Sequence, residues 1–96
     1  FQIHLLSLTQ NNKAAQKIYN LLLKNNFEVL FDDRTSATFA EKIKDADLIG
    51  IPFRLIISDK TLLKNQIEIK KRDSEKIQLI DQNKLVSFLK KEIKLL

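Results

Sequence analysis

Cysteine and methionine are absent from this 96-residue chain, and glycine and proline occur once each, as Gly50 and Pro52. Without cysteine there are no disulfides and no thiolate metal sites, although a cytosolic domain needs neither. One glycine cannot build the Gly-rich phosphate loops, so neither G-x-G-x-x-G nor a Walker pattern is present. No run approaches the roughly 20 apolar residues that cross a bilayer, and no basic-then-apolar leader opens the chain. A soluble, cytoplasmic location is the expectation. The lack of methionine, with Phe1 at the start, suggests a domain excised from the C-terminal end of a longer protein. The length suits one small core, so residues 1–96 are read as a single domain.

Positive charge is what the chain has in excess: 17 Lys and Arg against 12 Asp and Glu, a net charge of +5. Residues 1–48 carry six basic and six acidic side chains, whereas residues 49–96 carry eleven and six. The whole excess therefore lies in the second half. A concentrated positive field suits a polyanion, whose counterions are released when phosphates are neutralised. A solvated lysine-rich surface would give the same count.

No repeat, linker or low-complexity segment interrupts the chain. Phe1 to Leu8 reads as a strand, and Asn11 or Asn12 can cap a helix with Ala15, Ile18, Tyr19 and Leu22 on one stripe, ended by Asn25-Asn26. Phe27 to Asp32 is a second strand, apolar on both faces as under helices on each side. Thr38-Phe-Ala-Glu41 matches a capping box that starts a second helix, and Gly50 suits its left-handed C-terminal residue. Pro52 then holds Ile51 extended before a third strand, Phe53 to Ser58. Asp59 to Asn65 reads as a loop. In Gln66 to Arg72, Ile67 and Ile69 alternate with Glu68, Lys70 and Arg72, the pattern of a half-exposed strand. A turn at Asp73–Glu75 leads to a fifth strand, Lys76 to Ile80. Asp81 then caps a last helix with a Leu85, Phe88, Leu89, Ile93, Leu96 stripe. The order β-α-β-α-β-β-β-α implies parallel crossovers, one antiparallel member and a three-layer α/β/α sandwich.

Three blocks of sequence stand out: Val29-Leu-Phe-Asp-Asp-Arg34, Lys44-Asp-Ala-Asp-Leu-Ile-Gly-Ile-Pro52 and Ile67-Glu-Ile-Lys-Lys-Arg72. In this order they resemble the anticodon-binding domain of bacterial-type prolyl-tRNA synthetases, and the likeness covers nearly the whole chain. The resemblance implies a five-stranded mixed sheet in the order 2-1-3-4-5 with strand 4 antiparallel. It implies recognition of the anticodon of proline tRNA by this domain, with ATP and Mg used in a catalytic domain outside it. No cofactor or metal is expected in the domain itself, and the chain should be catalytically inert. An isolated monomer is expected, with the parent a homodimer through its catalytic domain.

Glu68, Lys70 and Arg72 are the leading candidate site. Residues two apart on a strand share a face and lie about 6.6 Å apart, close to the repeat of an extended nucleotide chain. Cationic groups donate to guanine oxygen and nitrogen acceptors, and carboxylates accept from guanine amino groups. Proline anticodons share two guanines. The alternative is that charge on an exposed strand simply guards a sheet edge.

Asp32, Asp33 and Arg34 fall at the carboxyl end of the second strand, where ligands gather in open α/β sheets. Successive strand residues face opposite ways, so one carboxylate can face a ligand while the other caps the loop or pairs with Arg34. By resemblance, Asp33 and Arg34 help frame the anticodon pocket, and Lys42 matches a family lysine. Thr35 to Ile43 departs from the Arg-Pro-Gly-Val-Lys-Phe of many relatives, being one residue longer and lacking glycine. That weakens the expectation of base contacts through the loop backbone. Phe39 is read as a core or staple residue, Phe53 as core and His4 as structural.

Related domains of threonyl, histidyl and glycyl synthetases, or an accessory nucleic-acid or protein-binding module, keep the fold but change the partner. A receiver-like domain using Asp32, Asp33 and Asp59 for a metal or phosphate is a third reading.

Overall fold

The computed structural model describes residues 1–9 and 12–93. Five strands form one sheet: β1 (Ile3–Ser7), β2 (Val29–Asp32), β3 (Phe53–Ile57), β4 (Gln66–Lys71) and β5 (Ile77–Asp81). The helices are α1 (Asn12–Lys24), α2 (Phe39–Ile49), a short α3 (Asp59–Leu62) and α4 (Leu85–Glu92). Strand order is β2-β1-β3-β4-β5. The first three strands are parallel, and β4 runs antiparallel to both β3 and β5. This is the order the family resemblance implied.

The main core lies under α1 and α4. Ile3 and Leu5 of β1, Leu55 and Ile57 of β3, and Ile67 and Ile69 of β4 meet Ala15, Ile18 and Leu22 of α1 and Leu85, Leu89 and Ile93 at the other helix. These residues recur at period 2 on the strands and near 3.6 on the helices, which is why the pattern could be read from the chain. Phe53 packs against the same core, and the Lys71 amine lies 5.9 Å from its ring centroid. The opposite face holds a smaller cluster in which Leu6 and Ile56 are buried against Ala46 of α2.

The ends of α2 follow the sequence closely. Thr38 and Glu41 exchange side-chain-to-backbone hydrogen bonds at its start, and Gly50 closes it at φ 69°. Asn26 ends α1 in the same left-handed region, φ 68°. Phe27 belongs to that closing turn, its N–H donating to Leu22 O, so β2 begins two residues later than expected.

Two expectations need correction. Asp59 to Asn65 is not wholly a loop: Ser58 and Thr61 form a capping box that starts the four-residue α3. Phe39 is not a core residue but is 58% exposed. Lys42, one turn further along α2, already reaches the last residue of β1, so Phe39 overhangs the carboxyl end of the sheet. At the other end of the chain, Asp81 caps a 3-10 turn at Gln82–Lys84 that leads directly into α4. Asn11 and Leu96, named above as cap and stripe residues, lie outside the described residues.

The left-handed backbone at Gly50 yields a test. A Cβ there would meet only Arg72 Cδ, at 3.8 Å, so the penalty is conformational and not a clash. Gly50→Ala is expected to lower unfolding stability by about 1 kcal/mol in urea titration, and Gly50→Asn by less.

Candidate nucleic-acid interface

Helix α2 divides the candidate residues into two groups. Asp33, Arg34 and Lys42 lie toward the carboxyl ends of the parallel strands. Glu68 and Lys70 on β4, with Arg72 just past its end, run away from that end, because Glu68 pairs with Ile56, Lys70 with Arg54, and the Arg72 N–H donates to the carbonyl of Pro52, just before β3.

In the first group the two aspartates separate as strand alternation requires. Asp32 is buried and accepts three hydrogen bonds from Arg34, at 2.8 Å from both Nε and Nη2 and at 3.3 Å from the backbone N–H. Asp33 is exposed. Hydrogen bonds from Arg34 hold the Asp32 carboxyl below its usual range, against the opposing effect of burial. The same guanidinium donates to Asp45 of α2 at 2.9 Å, and the two carboxylates raise its pKa. Arg34 is 46% exposed at its side chain, so it retains an outward face while being oriented by both carboxylates. Lys42 is buried, and its amine donates to the Ser7 carbonyl. In this arrangement it holds α2 to the end of β1. Arg34, Thr35, Phe39 and Lys42 border a cleft of about 430 Å³ with Ser7 and Asn12 across from them.

The second group forms a row on the open part of the sheet. Glu68 and Lys70 are half-buried, and Arg72 is exposed with Nη1 donating to Gly50 O at 3.0 Å. Arg54, beside Lys70 on β3, pairs with Asp47 of α2 at 2.7 Å. Hydrogen bonding to Arg54 lowers the pKa of Asp47, with Lys70 adding to the effect. Sequence reasoning missed Arg54: only the β3–β4 register brings it next to Lys70. Among the described residues, no three His, Cys, Asp or Glu side chains gather for a metal. Of the three residues a receiver-like site would use, Asp32 and Asp59 are engaged by Arg34 and Thr9 respectively, and Asp33 is exposed.

His4 lies buried under α2, and its Nδ1 has no hydrogen-bond partner among the described residues. It borders a groove of about 390 Å³ with Leu30, Asp32, Arg34, Leu48 and Ile49.

Fold and strand order, with charged residues set along β4 and at the carboxyl ends of the parallel strands, define an α/β domain of the anticodon-binding type. The chain matches the anticodon binding domain family over residues 2–92 and belongs to that family. It is similar to proline-tRNA ligases of several bacteria. One from Dehalococcoides mccartyi is 43% identical over 84 residues, covering 83% of this chain and 15% of the relative. One from Persephonella marina is 39% identical over 93 residues, covering 93% and 16%. One from Treponema denticola is 40% identical over 82 residues, covering 85% and 13%. The chain thus spans about one-seventh of the length of the curated relatives it matches. No helix among the described residues is long and apolar enough to cross a membrane.

Burial lowers the pKa of His4 from 6.5, with Asp32 opposing the shift. Below pH 6.5 the unfolded chain takes up this proton more readily than the native state, so protonation favours unfolding. The His4 contribution to stability is therefore present above pH 6.5 and is lost as pH falls below it. Urea midpoints measured between pH 7.5 and 5.5 should decline for the native sequence and flatten for His4→Gln.

Proposed function

We propose that this chain is the anticodon-recognition domain of a proline-tRNA ligase. The observation that carries the reading is the row Glu68, Lys70, Arg72, set along one strand on a face that α2 leaves open, in a chain of the anticodon binding domain family. Lys70 and Arg72 offer donors to guanine acceptors or to phosphate, and Glu68 offers an acceptor to a guanine amino group. The two guanines shared by proline anticodons match that set. Asp33 and Arg34 form the second contact, with Arg34 held in position by Asp32 and Asp45. Lys42 serves the site by fixing α2 against β1.

In this reading the chain is the C-terminal part of a longer cytoplasmic synthetase. Another domain of that protein would activate proline with ATP and Mg, transfer it to tRNA and form the homodimer. The chain alone is then a catalytically inactive monomer whose partners are the anticodon loop of proline tRNA and the catalytic domain of its parent.

Fluorescence anisotropy of a labelled proline anticodon stem-loop, at two salt concentrations, tests the assignment. The chain should bind this loop more tightly than one with both guanines replaced, and binding should weaken with salt. Lys70→Ala should lose most of the preference, a change of about tenfold. Equal binding of both loops by the native sequence would reduce the site to general phosphate attraction.

A further inference from the structure

Ile77 and Leu79 of β5 are 57% and 53% exposed, and both stand on the face that carries Glu68 and Lys70. The register sets Leu79 opposite Glu68 and Ile77 opposite Lys70. Residues opposed across an antiparallel pair have Cβ atoms about 4.5–5.5 Å apart. Residues two apart along a strand are separated by about 6.8 Å. The four side chains therefore form a two-by-two array, with a polar column on β4 and an apolar column on β5. Toward β3 the array is bounded by the Arg54–Asp47 ion pair.

β5 is also an outer strand of the sheet. Outer strands commonly carry charge that discourages edge pairing. Here the charges stop at Lys76 and Asp81, and the residues between them are Ile77, Gln78, Leu79 and Ile80. The exposed aliphatic pair thus lies in a place where fold stability does not call for it: the buried side of the same strands is already supplied by Ile67, Ile69 and Ile80.

The neighbours of this pair indicate what would cover it. Interface cores between proteins are depleted of Lys and Glu, yet each apolar residue here stands directly against one of them. An unstacked nucleobase combines a flat face that packs on apolar groups with an edge of donors and acceptors. Lys70 and Arg72 supply the cationic surroundings that a phosphate chain needs. We propose that Ile77 and Leu79 form a packing floor for bases of the anticodon loop, holding each base by its face while Glu68 and Lys70 read its edge. This rests on the anticodon reading above and adds a division of labour, in which β5 supplies affinity and β4 discrimination.

The test is a titration of the labelled proline anticodon stem-loop, and of the loop with both guanines replaced, against the 96-residue chain and its Ile77→Thr/Leu79→Thr double variant. Threonine is β-branched and favours a strand at both positions, and circular dichroism melting checks that the variant is folded. Both loops should bind the double variant about tenfold more weakly, with their affinity ratio unchanged. The salt dependence should also be unchanged, since no cation is removed. Lys70→Ala in the same series should instead collapse the ratio. Unchanged affinity of the double variant, or a loss confined to the native loop, would overturn the floor and leave anticodon reading intact. Sedimentation that shows the native chain self-associating through this pair, with RNA affinity unaltered in the variant, would also overturn it. Failure of the native chain to bind either loop would overturn both proposals.

Discussion

Helix α2 is fastened across its face of the sheet by polar side chains as much as by apolar ones. Lys42 reaches the Ser7 carbonyl, Arg34 joins Asp45 to Asp32, Arg54 pairs with Asp47, and Arg72 donates to Gly50 O. The apolar cluster beneath it, with Leu6, Ala46 and Ile56 buried, is small beside the core under α1 and α4. Contacts such as the exposed Arg34–Asp45 pair add little stability individually. They do fix where the helix lies, and that position decides which strands stay open: β1 and its neighbours are covered, whereas among the described residues the corresponding side of β4 and β5 is left bare.

The same fastening shapes the chemistry on both flanks of α2. Arg34 is bidentate on a buried carboxylate, so its guanidinium plane is set before any ligand arrives. On the other flank, Arg54 and Asp47 largely neutralise each other beside Lys70. Lys70 and Glu68 then stand as an adjacent donor and acceptor on a half-exposed strand, and the buried Ile67 and Ile69 hold that strand from below.

Much of this was legible in the chain because its signals are local. The Thr38–Glu41 box, the Gly50 terminus and the alternation around Ile67 and Ile69 each depend on residues within a few positions of one another. The family likeness supplied the strand order, which periodicity could not. What escaped depends on distant neighbours or on overhang. The Lys42 amine finds its partner 35 residues away. Arg54 meets Lys70 only through strand register, and Phe39 is exposed because its helix extends past the sheet. α3 has four residues, too few to show a helical period. Ile77 and Leu79 looked like ordinary strand residues, since an apolar strand implies cover on both sides and only the arrangement of layers reveals a bare one.

Arg72 illustrates what a contact made during folding does for a later partner. The last turn of α2 contains no basic residue, and the positive charge at its carbonyl end comes instead from the residue that follows β4, through Arg72 Nη1 on Gly50 O. This contact draws on one of the five guanidinium N–H groups and leaves others free to donate. A flexible lysine amine must give up its rotational freedom when it captures an anion. At Arg72 part of that freedom is already given up to the Gly50 carbonyl, so an anion that bound there would meet a partly aimed donor fork at a smaller entropy cost. Preorganisation of this arm is thus a by-product of closing a helix.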